Sequence, residues 1–477
     1  MDEWKPILPG GLAVQQTATK GRGLLASGKS FKVGDSVLTA TPIALVVSKD
    51  EITQYCHHCL KEKSSCDAGL LRCTQCKYIH YCSHRCQKQD WLVHKEECAG
   101  ICRISPNLPT DSMRLLLRCL LVHQQRIQKP ISLPTGAKWE MELLCSYSDV
   151  TKLESHSYMV KGAHLLLGEP IDFPFSFAMD VFCKISCNTF TVHNGELKSI
   201  GAAMYLVPSL LNHSCVPNCT ICYDGCTLYV RVIEDIFDGQ ELLISYIDLL
   251  DTRQARRDSL IHPYGFRCSC TRCQSDNNSQ ESLDDLLESY TCPNCSQPIL
   301  PSQGIIHKDC SCHELTDSAL ADEKYQSACR DLHKMANYRQ EQNWETMKKL
   351  CKESLSMQNP VLYRLNIATV KTLEYLMDSC IESRCWQDAV DYSKVLTEAY
   401  DMYLPTYHPL KGVHLMKVGK IQLLITEKPR GAIETLYQAK RYLMVSHGLS
   451  HPLLVTTEAL ITEGRLALEP YLQIESS

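Results

Sequence analysis

The segment Asn212-His213-Ser214-Cys215-Val216-Pro217-Asn218-Cys219 decides the fold. An alternating apolar run at 228–232 follows it and predicts a strand, and a second apolar run ends at Tyr246. Farther along, Tyr264-Gly265-Phe266-Arg267 leads into Cys268-x-Cys270-x2-Cys273, which has the spacing of metal ligands but no fourth ligand nearby. Each of these features alone occurs in many proteins. All of them in this order along one chain indicate one particular fold.

The N-terminal part of the chain contains the turn Lys20-Gly21-Arg22-Gly23-Leu24. Two glycines so close together are by themselves only a sign of a tight turn. The runs at 37–38 and 43–47 that follow predict short strands.

The bulk composition limits the class of protein. The chain has 477 residues, 44% hydrophobic and 22% charged, so we expect a multidomain globular protein. A net charge of −5 gives no general reason to bind nucleic acid or an anionic membrane. Neither a secretory leader nor an apolar run long enough to span a bilayer is evident in the sequence, so we expect an intracellular protein. In a reducing compartment, clustered members of the 28 cysteines are more often metal ligands than disulfides.

The densest cluster of cysteines lies between Cys56 and Cys98. It reads Cys56-x2-Cys59, then Cys73-x2-Cys76-x5-Cys82-x3-Cys86-x7-His94-x3-Cys98. Seven cysteines and one histidine suffice for two tetrahedral zinc ions, and the segment is too short and polar to fold around its own core. The alternative, a run of buried free cysteines, fits this spacing poorly.

The segment 56–98 resembles a MYND zinc finger, and the segments on both sides of it resemble a SET domain. A SET domain interrupted by a MYND finger and continued by a helical lobe is typical of the SMYD family of lysine methyltransferases. The resemblance implies an α+β fold: a split SET domain with an inserted finger, a post-SET zinc site and a TPR-like α-helical lobe. The predicted domains are the N-terminal SET part at 1–50, the finger at 51–100, a helical insert at 101–180, the core SET domain at 181–250, the post-SET segment at 251–276 and the helical lobe at 277–477.

The resemblance also implies the zinc ligands. Cys56, Cys59, Cys82 and Cys86 would hold the first ion, and Cys73, Cys76, His94 and Cys98 the second. Cys215 would complete the third site with Cys268, Cys270 and Cys273.

S-adenosylmethionine is the cofactor that the resemblance implies. Its predicted binding residues are Lys20, Gly21, Arg22, His156, Asn188, Asn212, His213, Tyr246 and Phe266. The hydroxyl of Tyr246 would orient the amine, and Phe190 and Tyr264 would line the channel for the substrate lysine. Taken alone, Tyr246 and Phe190 are more often ordinary packing residues.

The C-terminal part of the chain contains a repeat of 42–43 residues. Trp344, Trp386 and Pro429 recur at this interval, and His408-Pro409-Leu410 recurs as His451-Pro452-Leu453. This period predicts a helical solenoid similar to tetratricopeptide repeats. A plain helical bundle is the alternative.

A further pair of cysteine motifs falls outside the family pattern. Cys292, Cys295, Cys310 and Cys312 have zinc-ligand spacing and predict a possible fourth zinc, with surface thiols as the alternative.

The predicted function is methyl transfer to lysine side chains of histone or non-histone proteins. The rival hypothesis is a non-catalytic adaptor that docks peptides through the finger and the repeats. We expect proline-rich peptides at the finger, a monomer, no membrane or nucleic-acid partner, and a cytoplasmic and nuclear location.

Overall fold

The computed structural model describes residues 8–66, 69–128, 144, 146, 153–168, 173–274, 283–300, 305–306, 318–425 and 429–475. It divides into two compact units. The first unit contains residues 1–213, 217–244 and 260–267, and the second contains 214–216, 245–259 and 268–477. No helix within the described ranges combines the length and apolar content needed to cross a membrane.

The first unit consists of short strands and a group of helices. The strands are β1 (Leu12–Thr17), β2 (Gly21–Ala26), β3 (Ser36–Ala40), β4 (Ala44–Val47), β5 (Leu71–Arg72), β6 (His80–Tyr81), β7 (Thr189–His193), β8 (Ser199–Met204), β9 (Asn212–His213), β10 (Cys219–Asp224), β11 (Thr227–Val232) and β12 (Leu243–Ile244). The helices are α1 (His84–Ile104), α2 (Asp111–Gln128), α3 (Leu153–Leu167) and α4 (Phe175–Asn188). The strands predicted at 37–38, 43–47 and 228–232 are thus confirmed as β3, β4 and β11.

Small antiparallel sheets build the SET part of this unit. β1 pairs with β2, β3 with β11 and β11 with β10, while β8 lies between β4 and β7. The exception is β9, which pairs in parallel with β12 so that Asn212 faces Leu243 and His213 faces Ile244. This pairing brings Asn212 and His213 beside a strand that lies about thirty residues farther along the chain.

Helix α2 contributes to a hydrophobic core cluster of the first unit. Leu116 and Leu120 are fully buried, and they pack in one cluster with Val46 of β4 and Val160 of α3. The apolar run at 113–121 is broken only by Arg114 and Arg118, which lie four residues apart and therefore on one face of the helix. Helices α1 and α4 extend across the predicted domain boundaries at 100 and 180, and the domain boundaries stay predictions.

Helix α5 (Arg253–Tyr264) has residues in both units, and the other elements that follow belong to the second unit. These are α6 (Thr271–Gln274), α7 (Leu283–Leu287), β13 (Tyr290–Thr291), β14 (Pro298–Leu300), β15 (Ile305–Ile306), α8 (Ser318–Gln340), α9 (Trp344–Gln358), α10 (Ile367–Glu382), α11 (Trp386–Tyr403), α12 (Pro409–Ile425), α13 (Arg430–Ser446) and α14 (Pro452–Glu475). Together they include the predicted C-terminal helical lobe, so the α+β fold class is confirmed.

The sequence repeat marks the same position in successive helix pairs. Trp344 and Trp386 are the first residues of α9 and α11, and Pro429 directly precedes α13. One turn into these helices, Met347, Ala389 and Ala432 are buried. The 42–43-residue period is therefore one helical hairpin, as expected for a solenoid of helix pairs.

The repeated His-Pro-Leu motif caps helices α12 and α14. His408 Nδ1 accepts a hydrogen bond from the Leu410 N–H at 3.3 Å, and His451 Nδ1 accepts one from the Leu453 N–H at 3.2 Å. Each histidine thus satisfies one of the N–H groups that a helix N-terminus leaves unpaired, and the proline that follows needs no such partner.

The pKa of His414 in α12 makes the stability of the lobe depend on pH. Its ring is buried with the centroid 5.0 Å from that of Tyr400, and its Nε2 lies 3.3 Å from the Ser393 carbonyl oxygen. Burial lowers the pKa of His414 from 6.5 to about 4, with the hydrogen bond to Ser393 opposing this shift. Because the folded pKa lies below the unfolded one, the neutral ring stabilises the lobe above pH 6.5, and this contribution is lost as the pH falls toward 4.

We predict that His414→Gln, which keeps an N–H donor but cannot titrate, removes this pH dependence. The unfolding free energy of the wild type should fall relative to that of the variant by up to about 3 kcal/mol between pH 7 and pH 4. Differential scanning calorimetry of both proteins across this range measures the difference. A difference that stays constant with pH would contradict the assignment.

Candidate cofactor and zinc sites

The first predicted zinc site combines the Cys56–Cys59 turn with Cys82 and Cys86 around the start of α1. Sγ of Cys82 lies 3.6 Å from Sγ of Cys59 and 3.5 Å from Sγ of Cys86, and the four predicted ligand atoms of this site lie within 4.8 Å of one another. These separations exclude disulfide bonds, which require about 2.05 Å. They fit a tetrahedral zinc ion, in which sulfurs at about 2.3 Å from the metal lie about 3.8 Å apart.

The second predicted site combines the β5–β6 hairpin with α1. Sγ of Cys73 lies 3.8 Å from Sγ of Cys98, and Sγ of Cys76 lies 3.7 Å from Nε2 of His94. Nε2 of His94 is therefore the nitrogen that faces the thiolates. The other nitrogen, Nδ1, lies 3.2 Å from Oε2 of the fully buried Glu97, which fixes the ring orientation as carboxylates commonly do for zinc-binding histidines.

Glu97 belongs to a buried network of charges that connects the finger to α2. Arg114 Nε donates to Glu97 Oε1 at 3.0 Å, and Arg118 donates to Glu97 Oε2 at 2.6 Å and also pairs with Asp90. Arg114 Nη1 reaches the Val47 carbonyl oxygen at the end of β4, at 3.1 Å. Two arginines and two carboxylates balance in charge, which is what makes their burial tolerable.

The third predicted site lies in the second unit. Sγ of Cys215 lies 3.9 Å from Sγ of Cys268 and 3.6 Å from Sγ of Cys273, and Cys270 completes the group. The fully buried Arg256 approaches Cys273 Sγ at 3.8 Å while it donates two hydrogen bonds to Asp284, at 2.8 and 2.6 Å. A four-thiolate zinc site carries a net charge of −2, so the guanidinium offsets part of that charge.

Some of the predicted cofactor residues of the first unit meet around β9. Asn212 Nδ2 donates to the Arg22 carbonyl oxygen at 3.0 Å and to Glu241 Oε1 at 2.7 Å, and Lys20 Nζ lies 3.5 Å from Glu241 Oε2. The ring centroid of His213 lies 6.1 Å from that of Phe266, and Phe266 lies 6.3 Å from Tyr264. The ring of Phe266 thus neighbours those of both His213 and Tyr264.

The two glycines of the N-terminal turn have different structural roles. Gly21 has φ +74°, the left-handed conformation that residues with a side chain adopt reluctantly, but a Cβ there would contact nothing within 4 Å. At Gly23 a Cβ would lie 2.5 Å from Glu241 Oε1 and 2.8 Å from Asn212 Nδ2. Gly23 therefore leaves room for the two side chains that meet beside Arg22.

The remaining predicted residues have the following surroundings. Asn188, the last residue of α4, is buried, and its Nδ2 donates to the Lys184 carbonyl oxygen at 2.8 Å. His156 is buried with its ring 5.1 Å from that of Phe182. Phe190 on β7 packs edge-on against Tyr205 at 5.6 Å. Tyr246 is half-buried and belongs to the second unit, two residues beyond β12.

The tyrosine at the end of α5 stays neutral at physiological pH. Burial raises the pKa of Tyr264, and the neighbouring Cys187 thiol adds to this shift. Tyr264 therefore presents a neutral phenol to its surroundings.

Comparison with known proteins identifies the class of the fold. The family model described as SET domain matches residues 21–247. These limits include β2 at one end and Tyr246 at the other, with the finger inside them. The chain contains a methyltransferase domain of the SET type.

Whole-chain relatives define the family. The human protein "Histone-lysine N-methyltransferase SMYD3" is 31% identical over 94% of this chain and 96% of its own length. The zebrafish protein "N-lysine methyltransferase SMYD2-A" is 26% identical over 91% of this chain and 93% of its own length. The Arabidopsis thaliana protein "Histone-lysine N-methyltransferase ASHR1" is 25% identical over 95% of both chains.

The chain belongs to the SMYD family of protein-lysine methyltransferases. The family predicted from the sequence motifs is thereby confirmed, and the enzyme is favoured over the adaptor.

Sequence reasoning missed the charged residues that support these sites. Glu241 lies 29 positions from Asn212, and Asp284 lies 28 positions from Arg256, so neither pair is recognisable from a local pattern. Glu97 did carry a signal, because it lies three residues after the predicted ligand His94 on one helix. Arg114 and Arg118 carried another, because two arginines interrupt an otherwise apolar run.

We predict that Glu97→Gln weakens one zinc site selectively. Without the carboxylate, the His94 ring loses its orienting acceptor and two buried arginines lose a counter-charge. Zinc affinity at the site of Cys73, Cys76, His94 and Cys98 should fall roughly 10–100-fold. Transfer of zinc to a chromophoric chelator measures the loss of affinity: one zinc ion per chain should leave the variant sooner than it leaves the wild type.

The matched control for this experiment is Glu96→Gln. The Glu96 side chain is 49% exposed and pairs only loosely with Lys95, at 3.8 Å. Zinc release from this variant should equal that of the wild type. Release from Glu97→Gln at the wild-type rate would show that the network does not support the metal.

Proposed function

We propose that this enzyme transfers methyl groups from S-adenosylmethionine to lysine ε-amines of proteins, using Asn212, His213 and Phe266 to bind the cofactor. The observation that supports this is that the short strand β9 carries a polar amide at Asn212 and an aromatic ring at His213, and the His213 ring centroid lies 6.1 Å from that of Phe266. S-adenosylmethionine needs both kinds of group, because it has a charged amino-acid part and a flat adenine.

The other cofactor residues are assigned by the family resemblance. Lys20, Gly21 and Arg22 lie on or next to the β1–β2 hairpin, and the Arg22 backbone is tied to Asn212. His156 and Asn188 stay predictions of the same kind. Tyr246 is proposed to serve both the cofactor and the substrate amine.

The chemical requirement on the protein is modest. S-adenosylmethionine supplies an electrophilic methyl group on a sulfonium ion. The substrate lysine must be neutral, which costs about 5 kcal/mol at pH 7. Aromatic walls lower that cost by removing water from the ammonium, and Phe190 and Tyr264 are proposed to form them. The neutral phenol of Tyr264 suits this role because it adds no negative charge that would hold the lysine protonated.

We propose that the substrates are histone or non-histone proteins that expose lysine. The names of the relatives include both histone-lysine and general lysine methyltransferases. A cytoplasmic and nuclear location and a monomeric state are proposed with this function.

We predict that Tyr246→Phe separates binding from catalysis. The variant should bind S-adenosylmethionine within about twofold of the wild type. It should lose roughly 10²-fold in kcat, because misplacement of the reacting amine carries a cost of that order. Transfer of radiolabelled methyl groups to core histones and to a lysine peptide library measures the rate.

Tyr229→Phe on β11 is the control, since Tyr229 is half-buried like Tyr246 but lies on a strand assigned to neither binding nor catalysis. It should methylate at the wild-type rate. Full activity of Tyr246→Phe would remove Tyr246 from the mechanism, and inactivity of wild type on every substrate would count against the proposed reaction.

A fourth zinc ion is a further proposal, at Cys292 and Cys295. These cysteines form the same turn as the two finger motifs: the residue after the second cysteine has positive φ, 59° at Ser296 against 58° at Leu60 and 53° at Lys77. In all three turns its N–H donates to the carbonyl of the first cysteine, at 2.9, 2.9 and 3.0 Å. The other predicted ligands, Cys310 and Cys312, lie outside the described residues.

Metal analysis tests this proposal directly. We expect four zinc ions per wild-type chain and three in the Cys292→Ser/Cys295→Ser variant. Cys329→Ser, at a half-buried cysteine of α8, should retain four. Three zinc ions in the wild type would rule out the fourth site.

The finger is proposed to dock proline-rich peptides. Trp91 of α1 is 38% exposed, and exposed aromatic rings are the usual platform for polyproline II segments. Fluorescence polarisation with a labelled proline-rich peptide should show binding by the full chain that Trp91→Ala loses. Equal binding by both proteins would exclude Trp91 as the contact.

A further inference from the structure

The carboxylate of Glu241 occupies the centre of the polar end of the proposed cofactor site. Oε1 accepts from Asn212 Nδ2 at 2.7 Å, and Oε2 lies 3.5 Å from Lys20 Nζ. The Glu241 side chain is 17% exposed. Each of its oxygens therefore contacts a different predicted cofactor residue.

The backbone of Glu241 is fixed on both sides. Its carbonyl oxygen accepts from Asn218 Nδ2 at 2.8 Å, and the N–H of Leu243 donates to Asn218 Oδ1, also at 2.8 Å. Residue 241 also forms a bridge with Leu25 of β2. The carboxylate thus extends from a backbone that is held by Asn218 on one side and by Leu25 of β2 on the other.

The hydrogen bonds of Asn212 define the orientation of its amide. Both N–H groups point at atoms that can only accept, the Arg22 carbonyl oxygen and the Glu241 carboxylate. The reverse orientation would place the amide oxygen against two acceptors, which is unfavourable. The carbonyl oxygen Oδ1 is therefore the group that Asn212 offers to a ligand, and its partner must be a donor.

A second role of Glu241 concerns the charge of Lys20. Lys20 alone would repel a ligand ammonium, whereas the Glu241 carboxylate offsets the lysine charge. A neutral Lys20–Glu241 pair with an outward amide oxygen suits a ligand that carries both an ammonium and a carboxylate.

We propose that Glu241 is a positioning residue that sets the specificity for the zwitterionic amino-acid end of the cofactor. It holds the Asn212 amide so that Oδ1 accepts from the α-ammonium, and it neutralises Lys20. This inference rests on the proposed cofactor site. Glu241 itself acts through Asn212 and Lys20.

Glu241→Gln tests the proposal by changing one acceptor into an amide of the same shape. The binding of three ligands is measured by calorimetry: S-adenosylmethionine, S-adenosylhomocysteine, and 5′-methylthioadenosine, which lacks the amino-acid end. We expect about tenfold weaker binding of the first two, the loss typical of one charge-assisted hydrogen bond, and unchanged binding of the third. Glu234→Gln, at an exposed glutamate, should bind all three ligands like the wild type.

A double-mutant cycle adds a readout that a merely structural role would not give. If Glu241 acts partly through Asn212, then Glu241→Gln should weaken binding less in the Asn212→Ala background than in the wild type, and the remaining effect is the part that acts through Lys20. Gly23→Ala is a second test, because its Cβ would displace the side chains of Glu241 and Asn212. It should weaken the binding of S-adenosylmethionine and S-adenosylhomocysteine and leave that of 5′-methylthioadenosine unchanged. Zinc content and circular dichroism establish that each variant is folded.

The outcomes separate this inference from the proposed function. Absence of S-adenosylmethionine binding by the wild type would refute the cofactor site itself. Wild-type binding together with an equal loss of all three ligands in folded Glu241→Gln, or no loss of any, would refute the role of Glu241 alone.

Discussion

The parallel pairing of Asn212–His213 with Leu243–Ile244 is the constraint on which the proposed cofactor site depends. Short parallel strands have few hydrogen bonds of their own, so other contacts must hold them. Asn218 supplies these contacts, because its amide bonds to the backbone on both sides of Leu242. The pairing fixes the positions of Asn212 and His213, the two residues of β9 that belong to the proposed cofactor site.

Charge balance limits the arrangement elsewhere in the molecule. The finger is too small for a large core, so we propose that zinc stabilises it, with charged side chains supporting each site. In the first unit, Glu97 supports His94 while two arginines of α2 balance Glu97 and Asp90. In the second unit, Arg256 lies between Cys273 and Asp284. Removing one charge from either group would leave its buried partners with fewer opposite charges, which is unfavourable.

Much of the architecture could be predicted from short-range patterns. The Cys-x2-Cys spacing and the polar pair ahead of Cys215 lie within a few residues of one another, and the 42–43-residue period repeats a complete helical hairpin. The structure brings the predicted ligand groups together as three clusters. The supporting residues could not be found in this way, because Glu241 and its partner Lys20 are separated by 221 positions. The same limit applies to Tyr246 and Phe190, whose roles depend on surroundings that no local pattern reports.

Calorimetric titration of S-adenosylmethionine into the zinc-loaded full-length protein tests the central claim most directly, since it needs no knowledge of the protein substrate. We predict one cofactor bound per chain, and binding at least tenfold weaker in Asn212→Ala, which removes the amide at the start of the site. Absence of binding by folded, zinc-loaded wild type would contradict the account, and so would equal affinity in the variant.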